Sequence, residues 1–334
     1  MTPSTTGDAT GHFTVERRIA ADHLTRALRA DAQAGLTESP KSLPPKWFYD
    51  ARGSMLFDRI TRLPEYYLTR AERMVLRANA PRVAELTGAR ALVELGSGSS
   101  EKTRILLDAL TAAGTLRRYA PLDVSESALT AAGQALAAAY PGLAITATVA
   151  DFETDLALPE PSAGPRLVAF LGSTLGNLDT EQRAAFLGRL RQALTTEGDA
   201  LLLGVDLVKD PARMLRAYDD GQGVTAEFNK NLLTILNREL DADFDPGAFD
   251  HRAIWNEEEE RMEMRLRARV THSVKIPTLD LTLDFLRGED LRTEISVKFR
   301  REGLEPELAQ AGFTLEHWWT DQQERFAVLL AVPA

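Results

Sequence analysis

From residue 91 onward, apolar and polar positions follow two alternating periods. Short apolar runs, "ALVEL", "RYAPLDV", "ITATVAD", "RLVAFLGST" and "ALLLGVDLV", are bounded by turn residues. Stretches at about 101–113, 125–140 and 180–195 instead repeat apolar residues at helical spacing. The runs predict strands and the stretches predict helices, with a short turn joining the third strand to the fourth. Such alternation predicts a parallel sheet with helices on both faces and ligands beyond the carboxyl ends of its strands.

After residue 209 the pattern changes. Residues 211–240 predict helix. In "RMEMRLRARV", Met262, Met264, Leu266, Ala268 and Val270 alternate with charged neighbours, as in a half-buried antiparallel strand. "LDLTLDFLRGEDLRTEISVKFR" predicts a strand, a turn at Gly288 and another strand, and the last thirty or so residues predict a helix and two strands around a polar turn. Upstream, residues 14 to 34 predict an amphipathic helix behind a polar, disordered tail at 1–13. The proline- and aromatic-rich "SPKSLPPKWFYDARGSMLFDRITRLPEYYLTRAE" is costly to leave in water, so it is expected to fold over something. The acidic run Glu257 to Glu260 is expected to be a solvated turn.

Composition narrows the classes of function. The 334 residues carry a net charge of −10, which argues against a nucleic-acid partner, because phosphate binding needs a basic field. The chain has no cysteine, which removes disulfides, thiolate metal sites and cysteine nucleophiles, and no metal is expected. The polar N-terminus lacks the basic start and apolar run of a signal peptide, and no run approaches the ~18–20 apolar residues that cross a bilayer. A soluble, cytoplasmic protein without a membrane partner is the expectation.

Candidate chemistry starts at "LVELGSGSSEKTRILLDAL", an apolar strand, a glycine turn and a helix. A dinucleotide fingerprint would carry a third glycine, where Glu101 stands, and a P-loop would end in Gly-Lys-Ser/Thr. Glu101 at the start of a helix would also repel a pyrophosphate. A ligand without phosphates suits the turn better, and S-adenosylmethionine is one. Glu94 with Gly96 and Gly98 then forms an acidic-x-Gly-x-Gly turn. Asp123 ends the second strand, where a carboxylate can accept the ribose hydroxyls, although "DVSES" also suits a helix cap. Asp151 and Phe152 end the third strand, where an acid can take the adenine amino group and an aromatic can flank the ring. Three strand ends in order, together with a terminal hairpin, favour a methyltransferase over a dehydrogenase. For the acceptor, the residues alone reach a small polar molecule, with Gly172 and Asn177 just beyond the fourth strand and Asn177 equally readable as a turn residue.

Longer motifs carry a closer resemblance. "PKSLPPKWFYDARGSMLFDRITRLPEYYLTRAE", "LVELGSGSSEKT", "FLGSTLGN", "LLLGVDLVKD", "YDD" and "TEISVKF" resemble the histidine-specific Nα-methyltransferases of ergothioneine biosynthesis, from about residue 15 to the C-terminus. The resemblance implies an α/β fold, a mostly parallel Rossmann-like methyltransferase sheet with a reversed C-terminal strand plus a discontinuous α+β substrate-binding domain. The expected segments are 14–70 and 208–296 for the substrate domain, and 71–207 with 297–334 for the methyltransferase domain. It implies three methyl transfers from S-adenosylmethionine to the α-amino group of L-histidine, giving hercynine, by an enzyme expected to be a monomer. Residue by residue, it assigns Gly96, Lys102, Asp123, Asp151 and Phe152 to the cofactor. It assigns Tyr66, Asn177 and Tyr218 to the histidine carboxylate, Tyr49 and Gly172 to the reacting amine, Glu294 and Ser296 to the imidazole, and Met264 to the side-chain pocket. Ser100 replaces the third glycine of the general methyltransferase turn, as the family does.

In "TEISVKF", Ile295, Val297 and Phe299 share one strand face, and Glu294, Ser296 and Lys298 share the other, which also fits an ordinary polar outer face. Imidazole offers one N–H and one acceptor nitrogen, which a carboxylate and a hydroxyl can meet. The α-amine must lose its proton before transfer, and whether Tyr49 or water takes it stays open. Aromatic faces near Tyr49 could hold the growing cation at ~0.5–2 kcal/mol. Two other readings remain: the same scaffold acting on another amino acid or amine, and a sensor that binds S-adenosylmethionine without turnover.

Overall fold

The computed structural model describes residues 13–98, 100–154, 156, 158 and 164–334. Residues 1–12 of the expected tail lie outside them. Strand β1 (Phe13–Arg17) and helices α1 (His23–Thr37), α2 (Ala51–Arg62) and α3 (Leu68–Thr87) lead into β2 (Ala91–Leu95). Then follow α4 (Thr103–Ala112), β3 (Arg118–Asp123), α5 (Glu126–Ala139), β4 (Ala144–Val149), β5 (Arg166–Phe170), α6 (Thr180–Ala193) and β6 (Ala200–Asp206). Every residue of β2, β5 and β6 is buried, which is why these strands read as unbroken apolar runs: parallel strands are covered on both faces. Local chemistry sets the helix starts. Ser125 caps α5 through the Ala128 N–H, and Asp179 with Gln182 forms a capping box on α6.

The chain continues through α7 (Pro211–Tyr218), α8 (Val224–Leu240), β7 (Phe249–Asn256), β8 (Arg261–Ala268), β9 (His272–Ile276), β10 (Leu281–Phe285) and β11 (Asp290–Val297). It closes with α9 (Arg301–Gln310), β12 (Phe313–Thr320) and β13 (Phe326–Pro333). The main sheet runs β1-β4-β3-β2-β5-β6-β13-β12, with β13 antiparallel to both of its neighbours. Strands β11-β8-β7 form a separate antiparallel sheet, and β9 pairs with β10. The proline- and aromatic-rich segment lies against this region. Leu43 donates to the Arg292 carbonyl, and the Asp50 carboxylate accepts from Asn231 and Arg238. One apolar core runs from α3 and α4 through Leu56, Phe228 and Met262, and a second lies under α6 and α9.

Three expectations needed correction. Residues 14–34 are not one helix, because residues up to Arg17 belong to β1, which adds to the sheet edge in parallel with β4. An edge partner that distant in sequence leaves no periodic signal. The third and fourth strands are joined by residues 150–165 rather than a short turn. The 211–240 helix is two helices, broken where the Asp220 carboxylate accepts from the N–H groups of Gln222, Val224 and Thr225, and Gly223 turns left-handed at φ 73°. The two strands expected on either side of Gly288 are present, and they pair with β9 and β8. Met262, Met264, Leu266 and Ala268 are buried as expected, whereas Val270 lies past the end of β8 and is exposed. Glu257–Glu260 form the turn between β7 and β8.

Candidate active site

The turn after β2 is held by backbone groups. Gly96 and Ser97 donate to the Leu122 carbonyl, and Gly98 donates to Asp123 Oδ2 at 2.9 Å. Gly96 and Gly98 have φ of 64° and 49°, so both occupy the left-handed region that favours glycine. A Cβ on Gly98 would meet no described atom within 4 Å, and one on Gly96 would come 3.5 Å from the Phe152 ring. Beside this open space, the buried Ser97 hydroxyl has no hydrogen-bond partner among the described residues. Asp123 is not the cap of α5; its Oδ1 accepts from the Ser125 N–H while Ser125 caps the helix. Burial raises the Asp123 pKa against the backbone N–H groups that favour its charge.

Asp151 is buried and accepts from the Glu153 N–H, and its Oδ2 lies 3.3 Å from His23 Nε2 of α1. Phe152 meets Phe170 edge-on at 5.3 Å. Glu94 faces inward to the hydroxyls of Thr103 and Tyr119, so it ties β2 to β3 and to the start of α4. Burial pushes its pKa up to about 7. Lys102 pairs with the fully buried Glu72 of α3, whose other oxygen accepts the Gly172 N–H at 2.6 Å. Gly172 has φ 83°, and a Cβ there would lie 3.2 Å from Lys102 Nζ.

A second group of side chains gathers around β11. Asn177 donates to the Ile295 carbonyl at 2.8 Å and to Glu294 Oε1 at 3.2 Å. Glu294 sits opposite the buried Met264 in the β8–β11 ladder. Burial raises the Glu294 pKa to about 7, opposed by Lys298 and Asn177. Tyr218, at the end of α7, donates to Ser296 Oγ at 2.8 Å. Ser296 and Lys298 are 3% and 1% exposed, so this strand face is not a solvated outer one. Tyr49, Phe57, Tyr66 and Phe228 form an aromatic cluster with centroids 5.5–6.1 Å apart, edge-to-face except for the tilted Phe57–Phe228 pair. Tyr49 keeps nearly half its surface open, and the surrounding protein with nearby Glu294 raises its hydroxyl pKa, so it is a neutral phenol at pH 7.

Beneath Ser296 lies a charged network that sequence reasoning missed. Lys298 pairs with Asp206 at 3.0 Å, both fully buried. Asp206 also accepts from Tyr67 at 2.8 Å and from Lys209 at 2.7 Å. Burial alone would raise the Asp206 pKa, but the two lysines hold it below the usual range, while burial brings Lys209 down to about 8. Glu72, His23, Thr103 and Tyr119 were missed as well. Only Asp206 had a legible signal, a carboxylate ending the fifth strand of an ordered series.

The order β4-β3-β2-β5-β6-β13-β12, with β13 reversed and acidic residues at the ends of β3 and β4, defines a Rossmann-like S-adenosylmethionine-dependent methyltransferase. Residues 28–333 match the family described as "Histidine-specific methyltransferase, SAM-dependent", and the chain belongs to that family. It is 56% identical over 314 residues to "Histidine N-alpha-methyltransferase" of Mycolicibacterium smegmatis, covering 94% of this chain and 97% of that protein. The protein of that name from Mycobacterium tuberculosis is 55% identical over 311 residues, covering 93% and 96%. "Ergothioneine biosynthesis protein 1" of Neurospora crassa is 33% identical, covering 88% of this chain and 33% of that protein. Among the described residues, no group of His, Asp or Glu could hold a metal ion, and no helix is long and apolar enough to cross a membrane.

Proposed function

We propose that this protein transfers methyl groups from S-adenosylmethionine to the α-amino group of L-histidine, three times in succession, to give hercynine in ergothioneine biosynthesis. The observation that carries the substrate is the partly buried Glu294 beside the buried Ser296, a carboxylate next to a hydroxyl on one strand face, matched to the N–H and the bare nitrogen of imidazole. A site built this way rejects apolar side chains, because its polar groups would lose their partners. The relatives named for the same substrate support the reading.

The cofactor fits this chain's residues. Gly96 and Gly98 leave room at the turn, the Ser97 hydroxyl lacks a partner, and Asp123 accepts only backbone N–H bonds among the described residues. Gly96 and Asp123 would hold the ribose side, Asp151 and Phe152 the adenine, and Lys102 the amino-acid end. When bound, S-adenosylmethionine supplies an electrophilic methyl group.

The protein's own part is to position the acceptor. Tyr66, Asn177 and Tyr218 would fix the histidine carboxylate, with Met264 against the side chain, so that the amine near Tyr49 and Gly172 lies in line for transfer; proximity and orientation carry most of the acceleration. The raised pKa of Tyr49 makes its hydroxyl a hydrogen-bonding group rather than a phenolate base at pH 7. Its ring and Phe57 would face the growing cation.

Apart from residues 14–17, which belong to the main sheet as β1, the segments 14–70 and 208–296 would act as one acceptor domain, supported by the contacts of Leu43 and Asp50 with Arg292, Asn231 and Arg238. We extend the reading to a cytoplasmic monomer; light scattering in solution tests the monomer. The decisive experiment is incubation of L-histidine with methyl-labelled S-adenosylmethionine and mass analysis of the product. A product carrying three labelled methyl groups on the α-nitrogen is expected, and no labelled histidine derivative would overturn the proposal.

A further inference from the structure

The buried ammonium of Lys298 contacts both hydroxyls, of Tyr218 and Ser296, that the proposed acceptor site uses. It donates to Tyr218 OH at 2.8 Å and to Ser296 Oγ at 2.9 Å, and it pairs with Asp206 Oδ2 at 3.0 Å. An ammonium has three N–H donors and accepts nothing, so these contacts use it completely. Without ligand Tyr218 gives its own proton to Ser296; with histidine bound it would give it to the carboxylate instead. Below, Tyr67 spends its proton on Asp206, and Lys209 is engaged by Asp206, Tyr67 and the Leu207 carbonyl. Without ligand, every proton in this network is therefore committed except one, the hydroxyl hydrogen of Ser296. Its oxygen accepts from the Lys298 ammonium in either state, which turns the Ser296 hydrogen away from the lysine and toward the ligand.

We propose that Lys298, anchored by Asp206 and Lys209, is a positioning residue that fixes Ser296 as a hydrogen-bond donor toward the ligand and so selects a ring that presents a bare nitrogen there. The inference rests on the histidine reading and adds a polarity to it. Ser296 demands an acceptor, and ionised Glu294 demands an N–H, so the pair accepts one neutral imidazole tautomer in one orientation. A ring with a C–H in place of the bare nitrogen leaves a buried hydroxyl proton without a partner, which is costly. Without the lysine, the Ser296 hydroxyl is free to turn inward to Tyr218, and the demand on the ligand is relieved.

The test compares L-histidine with an alanine bearing a pyrrole ring, which keeps the N–H and lacks the bare nitrogen. In the wild-type enzyme, kcat/KM for histidine should exceed that for the pyrrole analogue by about 10- to 100-fold. In Lys298→Met, which preserves side-chain length without donors, that ratio should fall about tenfold. The loss for histidine should lie in KM, with S-adenosylmethionine affinity unchanged by calorimetry. Ser296→Ala should collapse the ratio in the same way, which keeps the idea testable if Lys298→Met does not fold. A wild-type enzyme that uses both substrates equally would overturn the inference. So would a folded Lys298→Met variant that keeps the wild-type ratio. Absence of any histidine methylation by the wild type would instead overturn the histidine reading itself.

Discussion

The turn after β2 and the floor of the pocket at β11 bind in opposite ways. At the turn, the polar contacts are backbone N–H groups reaching one carboxylate or one carbonyl, as with Gly98 and Ser125 on Asp123 and Gly96 on Leu122. At β11, side chains hold side chains: Asn177 with Glu294, Tyr218 with Ser296, Lys298 with Asp206. A backbone-built site needs only a short motif and a neighbouring strand end. A side-chain-built site needs residues that lie 117, 78 and 80 positions apart in the pairs Asn177–Glu294, Tyr218–Ser296 and Tyr218–Lys298. In the proposed complex the first arrangement would serve a cofactor that a whole fold class shares, and the second would read one acceptor.

The sharpest way to separate the two halves is Glu294→Ala. Removing a charged acceptor from a buried site costs about 2–4 kcal/mol, so kcat/KM for histidine should drop roughly thirty- to a thousand-fold while S-adenosylmethionine affinity holds. Discrimination against tryptophan and phenylalanine should relax, more so if Met264 is also shortened. A histidine-to-tryptophan ratio equal to wild type would mean that this strand does not read the imidazole.

The converse variant, Asp123→Asn, strikes the other half. Two backbone N–H groups depend on the carboxylate, and in the proposed complex so do the ribose hydroxyls. Calorimetry should find S-adenosylmethionine bound about 10- to 100-fold more weakly in a folded protein. Histidine KM at saturating cofactor should barely move. Equal cofactor affinity in variant and wild type would remove Asp123 from the site.

A smaller effect tests whether Glu94 belongs to the scaffold of the turn. Its folded pKa of about 7 lies above the ordinary 4.5, so its contribution to stability is complete below about 4.5 and is lost as pH rises through about 7. The Tyr119 hydroxyl donates to the ionised form and limits that loss. Tyr119→Phe should therefore destabilise by about 1–2 kcal/mol at pH 8 and by less at pH 5, measured by urea unfolding. A cost independent of pH would mean that the hydroxyl matters for packing and not for the Glu94 charge.

The smallest expected change is a control on the surface. Arg301 and Glu305 pair on α9 with about half of each side chain exposed. Arg301→Ala should shift unfolding by no more than about 0.5 kcal/mol and leave both ligands' affinities alone, since exposed pairs contribute little. A large change in either affinity would mean that α9 is coupled to the pocket.

By itself, the sequence determined the parallel sheet, its reversed end and the strand-end positions of Asp123, Asp151 and Phe152, because buried parallel strands are unbroken apolar runs and their ligands gather at the carboxyl ends. It also showed the alternation of Met262, Met264, Leu266 and Ala268 and the two faces of "TEISVKF", since a strand repeats every second residue. The histidine assignment came from long motifs that resemble a family, not from any local rule. Only the tertiary structure decided that Ser296 and Lys298 are buried and Glu294 partly buried, rather than lying on a solvated face. Only there do Glu72 and His23 reach Lys102 and Asp151, and only there does Phe13 join a sheet whose β4 partner starts at Ala144. Those contacts join residues that no helical or strand period relates, so burial and charge pairing decide them once the chain has folded.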